Sequence, residues 1–141
     1  MDGLCVLIDA DIWLWGLSCQ TVPGAPQVYV NFTVGGMSDE QFPRLLKAID
    51  HPDMSWVVAG FFKELSEKKT HLTRLRQQIV SDEVFCQSEA YSFWKDADIA
   101  AVFMSVRPLD EQSGSTVGIY RRFGRPRFTQ RESKIAPIIL T

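Results

Sequence analysis

The stretch at residues 4–15, "LCVLIDADIWLW", decides how the rest of the chain is read. Its first five residues form a continuous apolar run rich in branched side chains, the pattern of a strand buried on both faces. Two aspartates, Asp9 and Asp11, follow at once. On this reading residues 4–8 are a central strand with Asp9 at its carboxyl end. A helix then runs over residues 11–19 with Trp13, Leu14 and Leu17 on one side. "TVPGAP" at 21–26 breaks the chain with two prolines and a glycine, which makes it a loop.

Working outward, "QVYVNFTV" at 27–34 alternates Val28, Val30, Phe32 and Val34 with polar or aromatic residues, as a strand with one face in the core does. Ser38 and Gln41 have capping-box spacing, and Phe42, Leu45, Leu46 and Ile49 fall at i, i+3, i+4 and i+7, which predicts an amphipathic helix with Pro43 in its first turn. "MSWVVAGFF" at 54–62 reads as a second buried strand. It leads into a long surface helix over 63–80, where Leu65, Leu72 and Ile79 repeat every seven residues. A further helix at 89–106 carries Ala90, Ala97, Ala100 and Ala101 on one flank, small enough for close packing on a sheet. Residues 107–115 read as a loop, 116–124 as a strand and "APIIL" at 136–140 as a short terminal strand.

Strands alternating with helices predict an α/β domain in two or three layers with a mainly parallel sheet. The alternative is an α+β sandwich, because the last third could form an antiparallel hairpin. A chain of 141 residues with 45% hydrophobic and 23% charged residues fits one domain, 1–141, large enough to bury its own core. The net charge of −2 supplies no field that would draw the whole molecule to nucleic acid or an anionic membrane. Three cysteines (Cys5, Cys19, Cys86) without a CxxC pair fit free thiols, and two histidines (His51, His71) give no zinc spacing. The N-terminus has no basic signal region and its apolar run is too short to span a bilayer. A cytoplasmic protein with no membrane partner is therefore expected.

In an open parallel sheet, ligands bind beyond the carboxyl ends of strands, so Asp9 stands where chemistry is usually done. Hard cations such as Mg²⁺ take one or two carboxylates plus water. The competing reading has Asp11 capping a helix and Asp9 accepting backbone amides in a turn. A hydrophobic strand ending in D-x-D at the N-terminus resembles the opening of the PIN-domain and flap (5′-nuclease) group. "KDADIAAVFMS" at 95–105 is similar to the third acidic segment of those families, and "VVAGFFKELSEKK" at 57–69 to the segment that supplies Glu64. The resemblance implies a doubly wound sheet and a divalent-metal nuclease. Its catalytic carboxylates would be Asp9, Asp96 and Asp98, and its Mg²⁺ or Mn²⁺ ligands would come from Asp9, Asp11, Glu64, Asp96 and Asp98.

"YRRFGRPRF" at 120–128 interleaves Arg121, Arg122, Arg125 and Arg127 with Tyr120 and Phe123, offering phosphate partners and stacking surfaces for a single-stranded nucleic acid. Arginine and aromatics also mark protein interfaces. The same segment lacks a further aspartate, which favours a second reading: a non-catalytic protein-protein interaction module such as an inhibitor, immunity protein or phage accessory factor. Trp13, Trp15, Trp56 and Trp94 are expected in the core, although Trp15 and Trp94 could border a cleft. His71 is expected on an exposed helix face, and Glu64 to pair with Lys68 along that helix. There is no phosphate-binding glycine loop.

Overall fold

The structure, a computed structural model, describes residues 1–23 and 27–140, the side chains of 27 and 136–140 excepted. The end of the "TVPGAP" loop, 24–26, falls outside the described residues.

The opening stretch folds opposite to expectation. Its first part is a helix, α1 (Asp2–Leu7), and its second part a strand, β1 (Ile12–Gln20). The apolar run turns out to have helical spacing: Leu4, Cys5 and Ile8 are buried, while Val6 and Leu7 are 83% and 59% exposed. Asp9 closes the helix in the left-handed conformation, with φ 52°. The Ala10 N–H donates to the Cys5 carbonyl (2.8 Å) and the Asp9 N–H to that of Val6 (3.4 Å), the two reversed bonds of a Schellman motif. Aspartate is among the few residues besides glycine that visit this region readily. The carboxylate at the head of the chain thus ends a helix, not a strand.

β2 (Gln27–Gly35) and α2 (Gln41–Ile49) form where expected, with the Gln41 N–H donating to Ser38 Oγ at 3.2 Å. Residues 54–62 are not a strand. They belong to α3 (Met54–Lys68), whose buried Met54, Val57, Phe61 and Leu65 recur at helical intervals. Lys69, at φ 57°, stops it. The predicted surface helix over 63–80 is therefore cut into the end of α3, β3 (Leu72–Leu75) and a single turn, α4 (Arg76–Ile79). Leu65 and Leu72 still meet in one cluster with Phe61 and Val106, and Ile79 packs against it. After the short α5 (Asp82–Phe85), α6 (Glu89–Asp96) is closed by Asp98, at φ 57°. There the Ile99 N–H donates to the Trp94 carbonyl at 2.9 Å and the Asp98 N–H to Lys95 at 3.0 Å. The chain then continues as β4 (Ala101–Pro108) where a helix was predicted.

β5 (Ser113–Arg121) follows a tight turn in which the Asp110 carboxylate accepts the amides of Gln112 (2.8 Å) and Ser113 (2.7 Å). α7 (Gln130–Leu140) occupies the place of the predicted terminal strand. The five strands are ordered β2-β1-β5-β4-β3 and every neighbouring pair is antiparallel, which overturns the mainly parallel sheet. Two of the strands that implied parallel crossovers, 4–8 and 54–62, are helices. The β4-β5 hairpin in the last third matches the α+β alternative.

Helices cover the sheet on both faces. On one, α2, α3 and α6 pack over Ile12, Leu14 and Tyr120. On the other, α1 and the segment after β5 pack over Phe103, Val117 and Ile119, with Phe128 edge-on to Phe103 at 5.0 Å. Among the described residues no helix is long and apolar enough to cross a membrane.

Candidate ligand-binding site

The neighbouring strands β1 and β5 alternate in side-chain size as well as direction. Towards α2, α3 and α6 they present Leu14, Gly16 and Ser18 beside Gly118, Thr116 and Gly114, paired in that order. Towards α1 they present Trp13, Trp15, Val117 and Ile119. Leu14 packs against the helices, whereas Ser18, Thr116 and Gly118 are too short to reach them and leave a space above the sheet. Between floor and helices lies a cavity of about 430 Å³, within the range of small-molecule sites. Its roof is apolar: Leu46 and Ile49 from α2, Met54, Val57 and Phe62 from α3.

Two glycines are required by close approach. A Cβ on Gly16 would lie 2.4 Å from the Asn31 carbonyl and 2.9 Å from the Tyr29 ring, and one on Gly118 would lie 2.4 Å from the Tyr120 hydroxyl. Both tyrosine rings therefore lean over glycine positions and wall the cavity. The β1-β2 register shifts at Leu17/Ser18, a bulge that re-aims β2 side chains on this face. Phe32 packs edge-on to Tyr29 (6.0 Å) and to Phe42 of α2 (5.4 Å). Val28 and Phe32 are 44% and 38% exposed and form the mouth. Trp94 and Tyr120, at 3% and 4%, form the closed end.

Polar groups around this space are few. Ser18 Oγ and Thr116 Oγ1 satisfy each other at 3.1 Å. Arg74 Nε donates to Glu64 at 2.7 Å. Arg76 donates to the Val80 carbonyl at 2.7 Å, pairs with Asp82 and stacks on Phe85 at 4.3 Å. Burial lowers its pKa to about 10, so it stays charged at neutral pH. Burial, with the Asp50 carboxylate adding, pushes the Tyr29 phenol up to about 12, and burial raises that of Tyr120 further. Both phenols therefore stay protonated. The Trp94 indole Nε1 is buried and has no hydrogen-bond partner. An unmet buried donor costs about 1–3 kcal/mol, so this group is the least satisfied in the site.

The residues singled out from sequence lie elsewhere, apart from Tyr120. Asp9 pairs with Arg125, and Asp11 accepts the Arg122 N–H at 2.8 Å with Arg125 3.6 Å away. Asp98 accepts the Phe123 N–H at 3.2 Å and lies 3.5 Å from Arg122. Asp9, Asp11 and Asp98 thus do gather, but around the backbone and arginines of residues 122–125. Asp96 is exposed at the last turn of α6, and Glu64 pairs with Arg74 rather than Lys68. Among the described residues no three His, Cys, Asp or Glu side chains are grouped so as to hold a metal ion.

Arg121 is buried: it donates to the carbonyls of Ile8, Asp9, Pro126 and Arg127, pairs with Glu132 and lies 4.2 Å over the Phe128 ring. Arg127 pairs with Asp82, and Phe123 is 41% exposed beside Tyr91. Of the tryptophans expected in the core, Trp94 is buried, but Trp15 and Trp56 are 46% and 57% exposed. All three cysteines are free. The sequence reading missed the cavity; the signal that could have found it is Gly118, in phase with Thr116 inside a strand, since an interior glycine marks a place where something approaches closely.

No family model matches the sequence, and no curated protein sequence matches it. Solved structures do. The ligand-binding (LBD) domain of VqsR from Pseudomonas aeruginosa superposes with a TM-score of 0.58 over 99% of this chain and 75% of its own, at 14% identity. The GAF3 domain of Slr1393 from Synechocystis sp. PCC6803, in its photoproduct state, gives 0.52 over 98% and 82%, at 18% identity. At such identities the likeness is one of fold. That fold, with its antiparallel sheet, corrects the PIN and flap resemblance, and with it the doubly wound sheet and the Mg²⁺ nuclease that the resemblance implied.

Proposed function

We propose that this chain is a sensor-type domain that binds one apolar small molecule between the sheet and α2, α3 and α6. The observation that carries this reading is the cavity of about 430 Å³ whose floor holds the small residues Ser18, Thr116 and Gly118 beside Leu14. A chain that needed only a packed core would place branched side chains at those positions, as it does on the opposite face at Val117 and Ile119. The shared fold adds support, because one neighbour is by its own description a ligand-binding domain.

The test uses N-phenyl-1-naphthylamine, a neutral dye that fluoresces in apolar surroundings. Saturable binding of one dye per chain is expected, with a rise in melting temperature corresponding to about 2.7 kcal/mol at a hundredfold excess over Kd. Val102→Trp, which places an indole in the cavity, should abolish both effects while leaving the far-ultraviolet circular dichroism of the wild type. Equal dye binding by Val102→Trp would refute the assignment.

A further inference from the structure

A second depression lies at the opposite edge of the sheet from β2, where β3 has β4 as its sole strand neighbour and α7 packs against it. Its volume is about 340 Å³, at the low end of small-molecule sites. Arg74 is the one residue it shares with the lining of the apolar cavity. Lys68 at the end of α3, His71 just beyond it, Arg74 of β3 and Lys134 of α7 all border this space. No aspartate or glutamate is among the described residues that line it.

The charges here do not cancel. Arg74 Nε donates to Glu64 at 2.7 Å and its Nη1 to the Thr73 carbonyl at 2.8 Å, so that guanidinium is answered within the protein. Lys68 and Lys134 form no ion pair with a described residue. Glu67, beside Lys68 in the chain, lies outside the lining, and Glu132, on the same helix as Lys134, is held by Arg121. Two ammonium groups, brought together from distant parts of the sequence, therefore stand without a counter-charge in a chain whose net charge is −2. The segment at 121–125 is a useful contrast, because Arg121, Arg122 and Arg125 are each paired with a carboxylate. Neutral donors complete the lining. Gln78 Oε1 accepts the Leu75 N–H at 2.8 Å, which leaves its amide NH₂ group without a described partner, and the Gln130 side chain has none either.

We propose that this pocket binds the phosphate group of a small soluble phosphate ester, with Lys68 and Lys134 meeting its two negative charges and Gln78 donating to one of its oxygens. Two uncompensated cations match a dianion better than a carboxylate, which carries one charge, and lysine is a common point-charge partner of phosphate. The site is independent of the apolar ligand proposed above.

The experiment is calorimetric titration with glycerol phosphate at mildly alkaline pH, where the phosphate is a dianion, and with glycerate, a monoanion on the same three-carbon frame. One glycerol phosphate per chain is expected, with glycerate at least about tenfold weaker for want of the second charge. Lys68→Gln and Lys134→Gln should each weaken glycerol phosphate about fivefold, the worth of one exposed ion pair. Lys47→Gln, at an exposed lysine of α2 outside this lining, should bind as wild type does. Because none of the three lysines has an ion-pair partner among the described residues, all three variants should melt with wild type in the absence of ligand. Glycerol phosphate indifferent to both Lys68→Gln and Lys134→Gln, or weakened equally by Lys47→Gln, would overturn the site. Glycerate binding as tightly as glycerol phosphate would overturn the dianion argument. Tighter binding of an oligodeoxythymidylate through the same two lysines would overturn the small-molecule occupant in favour of a nucleic acid. No binding of glycerol phosphate would remove this site and leave the dye experiment, and the cavity reading, untouched.

Discussion

The two faces of the sheet are made from the same strands and do opposite things. Towards α1, the alternate residues of β4 and β5 are large and interlocked: Phe103, Val117 and Ile119 are 0–6% exposed, and Phe128 closes over Phe103. Towards α2, α3 and α6, the intervening residues of β5 are Gly114, Thr116 and Gly118 before Tyr120, those of β4 are Val102, Met104 and Val106, and a space remains beneath the helices. One face carries the stability and the other gives up packing to hold an empty volume. Because strand residues alternate direction, a single run such as "SGSTVGIY" can encode both.

This contrast can be broken most forcefully at Phe103. Truncation to alanine on the interlocked face should cost about 3–5 kcal/mol in urea unfolding, whereas Met104→Ala, one residue along and facing the cavity, should cost about 1 kcal/mol because its side chain already borders a void. Equal losses would mean that the two faces are packed alike. Arg121→Met comes next. It leaves the carbonyls of Ile8 and Asp9 and the Glu132 carboxylate without their cation, at an expected cost of about 3 kcal/mol by the same measurement.

Acid should sharpen the same point. Burial pushes the Glu132 carboxyl up, but the Thr129 backbone amide, Arg121 and the Thr129 hydroxyl together hold it below the usual carboxylate range. A folded pKa below the unfolded one contributes stability that is present above the ordinary glutamate range and lost as pH falls through it towards the folded value. The gap in melting temperature between wild type and Arg121→Met should therefore narrow on going from neutral pH into that range. A gap that stayed constant would show that the pair with Glu132 contributes nothing. The smallest effect is expected at Gly118→Ala, where the added methyl group must push the Tyr120 ring into the cavity. Stability should change by about 1 kcal/mol, while dye affinity falls. Unchanged affinity would place the dye elsewhere.

Much of the architecture was legible in the residues, and what was not has a physical cause. The clean alternation of 27–34 and the i, i+3, i+4, i+7 pattern of 42–49 each fit one secondary structure only, and both formed as read. The runs at 4–8 and 54–62 are apolar at nearly every position. Periodicity cannot separate helix from strand in such runs, and both went to helix when tertiary packing chose a face. The aspartates are instructive in another way. Asp-Ala-Asp-Ile occurs at 9–12 and again at 96–99, and in both places an aspartate in the left-handed conformation ends a helix. It is the first aspartate in one copy, Asp9, and the second in the other, Asp98. A tetrapeptide that closes helices at different positions carries no local instruction for which carboxylate turns the chain, and that ambiguity let chain-reversing aspartates resemble metal ligands. The cavity left a fainter trace, because it is defined by side chains too small to announce themselves.

The mouth of the cavity is formed in part by β2, which lies at the end of the sheet and has β1 as its sole strand neighbour. That strand is therefore held by a ladder along one side only, and the ladder is irregular opposite Leu17 and Ser18. Had the same aromatic rim been built on β5, it would have lain in the middle of the sheet, bonded along both sides.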